Sequence, residues 1–132
     1  MNGKSLSVQE MAAASGVSAH TLRYYERIGL LGPIARTTSG HRRYALDDLG
    51  WVRLLICLRE TGMGIQDMLR FVSVDGGEAS VAERRLALLE AHRHAVRVRQ
   101  REVAEHLAVI EGKLAAYCAF LHEAATAEEQ TS

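Results

Sequence analysis

The chain has 132 residues, 48% apolar and 24% charged, with 16 Lys/Arg against 16 Asp/Glu. That length suits one compact domain, or a small domain with a helical extension, and excludes two independent cores. The composition excludes disorder throughout, and no apolar run approaches the roughly 20 residues a membrane span needs.

The leading residues, Met1 to Ser5, show no apolar signal segment, and Cys57 and Cys118 are too few for a disulfide framework, so a reducing, cytoplasmic setting is expected. The zero net charge hides an asymmetry. Residues 1–72 carry nine Lys/Arg against six Asp/Glu, and residues 73–132 carry seven against ten. Within 19–43, Arg23, Arg27, Arg36, Arg42 and Arg43 face only Glu26. Such an excess suits contact with a polyanion, the alternative being a solvated basic surface.

Ser7-Val8-Gln9-Glu10 reads as a capping box, so a short helix should run to about Ser15, with Val8, Met11 and Ala14 on one face. Gly16-Val17 breaks it. Ser18 can cap a second helix, Ala19 to Ile28, stopped by Gly29. Two short helices joined by a Gly-containing turn make a helix-turn-helix candidate or a plain helical hairpin. In the first case Ser18, His20, Thr21 and Arg23 lie near the start of the second helix, where base edges are met.

Residues 34–44 change character. Ser39-Gly40 separates the short runs Ile34–Thr38 and His41–Tyr44, the pattern of a β-hairpin. It is too basic for a core element and suits a wing that lays Arg36, Arg42 and Arg43 against phosphates. Asp47 should cap a third helix, Asp48 to Thr61. Its centre, Leu54-Leu55-Ile56-Cys57-Leu58, is apolar all round, which predicts burial on more than one side. Gly64 opens a fourth helix, Ile65 to about Val74, and Asp75-Gly76-Gly77-Glu78 reads as a linker.

Ser80-Val81-Ala82-Glu83 reads as a second capping box, opening a helix to about Glu123. Leu89, His92, Val96, Arg99 and Val103 follow 3–4 spacing, which Leu107, Ile110, Leu114, Tyr117 and Leu121 continue after a stutter. Such a rod, roughly 60 Å at 1.5 Å per residue, needs a partner for its apolar stripe. An antiparallel copy of itself is the simplest partner, and folding back on the N-terminal part is the alternative. The expected organisation is a DNA-binding head over 1–75, a dimerisation helix over 76–125 and a flexible tail over 126–132. The fold class is all-α with a small β wing.

Thr21-Leu22-Arg23-Tyr24-Tyr25-Glu26-Arg27-Ile28-Gly29-Leu30-Leu31, then Arg36, Gly40-His41-Arg42-Arg43-Tyr44, Asp47-Asp48-Leu49 and Thr61-Gly62-Met63-Gly64-Ile65 resemble the MerR family of transcriptional regulators over about residues 6–72. The resemblance implies a winged helix-turn-helix head and an antiparallel coiled-coil dimer. It implies binding to double-stranded promoter DNA whose −10 and −35 elements stand too far apart, and distortion of that DNA for the RNA polymerase holoenzyme. By position Arg23 and Tyr24 map to recognition-helix contacts, with His20 and Thr21 weaker candidates. Arg42 and Arg43 map to the wing. Ser18, Arg27, Arg36 and His41 complete the expected DNA-binding set, and Tyr44 packs behind the wing or touches the backbone. Tyr25 should pack against the first helix, and Leu22, Ile28 and Leu30 belong to the core.

Branches of that family differ after the long helix. A separate ligand domain, a four-cysteine cluster and a cysteine near Ser80 are all absent here. The small aldehyde- and thiol-stress branch remains closest, because Cys57 stands shortly before the Thr61-Gly62-Met63 turn as a cysteine of that branch does. Arg53 and Arg59 could favour a thiolate at Cys57. The helix C-terminus and apolar neighbours favour an inert, packed cysteine. The alternatives are a metal-responsive member of the family, or an effector-independent DNA-binding or architectural protein. No motif points to an enzyme, and no catalytic residue, metal ligand or cofactor is assigned.

Overall fold

The computed structural model describes residues 5–32, 35, 36 and 38–131, with only the backbone of Ala35 and Arg42. The expectations for Ile34, Thr37 and the Arg42 side chain lie outside the described residues. The elements in order are β1 (Ser5–Leu6), α1 (Val8–Ser15), α2 (Ala19–Arg27), β2 (Ala35–Arg36), β3 (Arg42–Ala45), α3 (Asp48–Glu60), α4 (Ile65–Val72) and α5 (Glu78–Thr131). They fall into two units, Met1–His92 and Arg93–Ser132.

In the first unit the local chemistry sets each boundary. Ser7 Oγ accepts the Glu10 N–H at 3.1 Å while Glu10 Oε1 accepts the Ser7 N–H at 2.8 Å, a reciprocal capping box at the head of α1. Gly16, at φ 84°, closes α1 by donating to the Ala12 carbonyl, a conformation that a side chain would strain. Ser18 caps α2 through the Thr21 N–H at 3.1 Å. Beyond α2, Leu30 and Leu31 N–H groups both return to the Tyr25 carbonyl, folding the two leucines under the helix.

β1 was not legible as a strand. It pairs antiparallel with β3 (Ser5 opposite Ala45, Leu6 opposite Tyr44), and β3 pairs antiparallel with β2 (Ala35 opposite Arg43, Arg36 opposite Arg42). The hairpin is therefore part of a three-stranded sheet in the order β1-β3-β2. Asp47 stands at the N-cap of α3 without a side-chain cap bond, because its own backbone is already helical. The neighbouring Asp48 carboxylate works instead, accepting the Ala45 N–H at 3.1 Å and so tying β3 to α3.

The core holds Met11, Leu22, Leu30, Tyr44, Val52, Leu55, Met68 and Phe71, all essentially inaccessible. Tyr25 is buried beside them and Ile28 is half-buried, while Ala14 faces solvent. α3 is covered over a broad face but not all round, and the core reaches both flanks of that face. Val52, Leu55 and Leu58 form the buried face, Leu54 and Ile56 are half-buried, and Arg53, Cys57 and Arg59 are exposed. Spacing of three between the buried positions gives one inward face, and Cys57 falls off it.

α4 stops at Val72, two residues before the expected end, because Ser73 turns extended (φ −57°, ψ 138°). Its terminal carbonyls are capped from α5. Arg84 Nε donates to Arg70 O at 3.0 Å, Arg85 Nε to Phe71 O at 2.9 Å and Arg85 Nη2 to Val72 O at 3.4 Å. Arg84 also reaches the Ser73 and Asp75 carbonyls. Two arginines thus satisfy the orphan acceptors that a helix end leaves. The Arg85 guanidinium lies 4.8 Å above the Trp51 ring and 5.6 Å from that of Phe71, which itself stacks on Trp51.

α5 begins at Glu78, with the Val81 N–H already bonded to the Gly77 carbonyl. Ser80 is therefore inside the first turn, and the expected capping box there is corrected. The helix continues to Thr131, so residues expected as a flexible tail are helical to that point. In the second unit the apolar side chains Val103, Leu107, Ile110, Leu114, Tyr117 and Leu121 of the helix are all at least half exposed.

Candidate nucleic-acid interface

The start of α1, one face of α2 and the β2–β3 hairpin surround a cleft of ≈ 380 Å³ lined by Ser7, Val8, Gln9, Arg23, Arg36, Ser39, Gly40, His41 and Arg43. Among the described residues three arginines and no carboxylate line it. α2 supplies Arg23 because Leu22 and Tyr25 anchor its inner face, which turns the positions between them outward. The cleft also receives the N-terminal end of α1, whose helix dipole favours an anion.

The expected contact residues divide by what they already hold. Ser18 and Thr21 are engaged with each other, their hydroxyls 3.0 Å apart, and serve the cap of α2. His20 is exposed on the first turn of α2 and Arg23 is half-buried at the cleft wall. Tyr24 is 38% exposed, with the Arg27 guanidinium 5.5 Å from its ring centroid. Arg36 donates to the Gly40 carbonyl at 3.0 Å and pairs with Glu26 at 3.8 Å, so it stiffens the hairpin and leans it on α2. About half of the Arg36 side chain remains open to solvent, 46% by area. His41 lies exposed at the hairpin.

Two wing residues already have structural partners, and Tyr44 takes the first of its two expected places, packed behind the wing. Tyr44 is 1% exposed and belongs to the core, on the face of β3 turned toward the helices. Arg43 forks onto β1, its Nε and Nη2 reaching Ser5 Oγ at 3.1 and 2.9 Å and Nη2 also reaching Ser5 O at 3.0 Å. It links β1 to β3 while lining the cleft. Gln9 and Ser39 also line the cleft and were missed, since an exposed Gln inside a capping box and a turn Ser carry no signal of their own.

Away from the cleft, Cys57 is exposed on the last full turn of α3, and Cys118 is exposed in the second unit. Arg53 does not lean on Cys57 but donates to the Ala14 carbonyl at 3.1 Å, at the end of α1. Leu89 packs, partly buried, against the core of the head. His92, expected on the dimerisation stripe, is half-buried with Nε2 2.7 Å from Thr61 Oγ1. Val96 is half-buried in the second unit. Among the described residues no three His, Cys, Asp or Glu side chains gather as a metal site, and no helix is long and apolar enough to cross a membrane.

A helix-turn-helix pair braced by a basic β wing defines the class: a winged helix-turn-helix DNA-binding regulator. The family follows from comparison. Residues 6–72 match the family of MerR HTH regulatory proteins, and the chain belongs to it. A Haemophilus influenzae protein described as an uncharacterized HTH-type transcriptional regulator is 39% identical over 102 residues, 77% of this chain and 76% of that one. The Bacillus subtilis HTH-type transcriptional regulator AdhR is 33% identical over 86 residues, 64% of this chain and 61% of its own length. Among solved structures, HiNmlR, a MerR family regulator lacking the sensor domain and bound to promoter DNA, superposes with a TM-score of 0.79 at 36% identity, covering 86% of each chain. The chain is a DNA-binding transcriptional regulator of the MerR type and not an enzyme.

Proposed function

We propose that two copies of this chain pair through α5 and bind double-stranded promoter DNA with both heads, distorting an over-long spacer for the RNA polymerase holoenzyme. The observation that carries this reading is the basic cleft, where Arg23 of α2 and Arg36 of the wing share one wall system with the start of α1. α2 enters the major groove and presents His20, Arg23 and Tyr24 to base edges and phosphates. The wing presents Arg36 and His41 to the adjoining backbone. The exposed stripe of Val103, Leu107, Ile110, Leu114, Tyr117 and Leu121 supports pairing, because an unaccompanied apolar stripe of this length is costly in water.

The signal in this reading is an aldehyde or another electrophile, and the sensor is Cys57. Its exposure supports access by a reagent. The sulfur adds to the carbonyl carbon, the thiol proton passes to the carbonyl oxygen, and a hemithioacetal forms without an oxidant. The likeness to AdhR and HiNmlR supports placing the chain in the branch of short members. Run-off transcription from the promoter beside its own gene tests the proposal. Induction by a reactive aldehyde in wild type, lost in Cys57→Ala, is the expected result. Equal induction of both proteins refutes the sensor assignment, and the lack of salt-sensitive binding to that promoter refutes the DNA reading.

A further inference from the structure

Thr61 closes α3 with its side chain. Its Oγ1 lies 2.7 Å from the Cys57 carbonyl, 3.3 Å from the Leu58 carbonyl and 2.7 Å from His92 Nε2. A hydroxyl has one proton to give and two lone pairs to accept with. A carbonyl oxygen has no proton, so the 2.7 Å contact with Cys57 places the Thr61 proton there. The imidazole must then be the donor, and His92 carries hydrogen on Nε2. A directed chain results, from His92 Nε2–H to Thr61 Oγ1–H to the Cys57 carbonyl. It joins the first turns of α5 to the peptide of the exposed cysteine.

We propose that this chain is the coupling joint of the regulator. His92 is a positioning residue that seats the start of α5 on the last turn of α3, and the joint opens when Cys57 is modified. The trigger rests on the Cys57 reading above; the seating does not. Cys57 and Thr61 are i, i+4 neighbours on one helix face, so atoms added at the Cys57 sulfur grow beside the Thr61 side chain. The bond through Thr61 is also the element of this contact most sensitive to displacement, because hydrogen bonds weaken steeply with angle, whereas the neighbouring packing of Leu88 and Leu89 tolerates small shifts.

The test uses the full-length protein with Cys118→Ser, carbamidomethylated by iodoacetamide, and hydrogen–deuterium exchange of residues 85–92. Thr61→Val and His92→Leu remove the joint. Thr61→Ser and His92→Gln keep a hydroxyl and an Nε2 donor at similar reach. The first pair should exchange about three- to tenfold faster, the effect of one net hydrogen bond, and the second pair should match wild type. The double variant Thr61→Val/His92→Leu should be no faster than either single. Alkylation of Cys57 should speed wild type by the same factor and add nothing to Thr61→Val. Rescue variants as fast as the disruptive ones, or additive effects in the double variant, overturn the joint. Alkylated wild type that exchanges at the unmodified rate overturns the trigger. A Cys57 that gains no mass refutes the sensor reading itself, while the unlabelled variants still decide the seating role of His92.

Discussion

Replacing Arg85 by Ala tests how α5 is held to the head. The side chain supplies a charge-assisted hydrogen bond to Phe71 O at 2.9 Å, a weaker one to Val72 O at 3.4 Å, and a cation over Trp51 at 4.8 Å. A hydrogen bond from a charged donor contributes about 1.5 kcal/mol here, at the low end of its range because the residue is only half-buried. The cation–π contact adds about 1 kcal/mol. Arg85→Ala should therefore lower stability by about 2–3 kcal/mol. With a urea slope of about 2 kcal/mol/M, the midpoint falls by roughly 1–1.5 M. The assay is urea unfolding followed by far-UV circular dichroism at one fixed protein concentration, since the assembly state enters the balance. Arg85→Met keeps much of the stem and should lose nearly as much, because the charged head makes these contacts. A midpoint shift below about 0.3 M for Arg85→Ala would refute the reasoning.

Arg23→Ala and Arg43→Ala should fail differently. Arg23→Ala should weaken DNA binding by about 1–3 kcal/mol and, where Arg23 meets a phosphate, flatten the salt slope by about one ion, read by fluorescence anisotropy across a salt series. Arg43→Ala should chiefly lower thermal stability, because its guanidinium already holds Ser5 of β1. Equal salt slopes for the two variants would contradict this division. Ser18→Ala removes the cap of α2 and should cost about 1 kcal/mol in chemical denaturation, with Ser18→Thr retaining most of it. Glu10 has its carboxyl held below the usual range by the Ser7 N–H and hydroxyl. Its folded value is the lower one, so its contribution is present above the ordinary Glu range and is lost as pH falls through the folded value. The stability gap between wild type and Glu10→Gln should accordingly narrow in acid denaturation curves.

Local chemistry made most of the head legible. The Ser7–Glu10 box, the Gly16 break and the Ser18 cap act within four residues of where they stand, so the chain announces them. Non-local pairing stayed hidden. β1 is two residues long and exists only because β3 runs beside it, and the Arg43 fork that secures it spans 38 positions. A shorter separation of 14 positions was enough to hide the roles of Arg84 and Arg85, which read as charges after a linker until the end of α4 is placed beside them. In α3 only the exposure of Cys57 stayed hidden, because the apolar run around it is continuous. The burial of Val52, Leu55 and Leu58 follows the three-residue step of the helix, and Cys57 lies off that face. The Ser80-x-x-Glu83 pattern had the composition of a cap but not its place, since the chain was already helical at Glu78. In the candidate interface, residue type pointed to cations, whereas partners decide which cations are available. Arg43 is tied to β1, Arg36 braces the hairpin while about half of its side chain stays open, and Arg23 lines the cleft from α2.

Trp51 is the only tryptophan in the sequence, and it stands where α3, α4 and the opening turns of α5 meet. The whole indole emission of the protein therefore originates at that junction, with a guanidinium over one ring as a built-in source of spectral shift. An event that reseats the start of α5 should shift the colour and lifetime of this light by moving the Arg85 guanidinium. The molecule carries its own label-free optical gauge of head-to-helix coupling, readable in a stopped-flow instrument while promoter or electrophile is added.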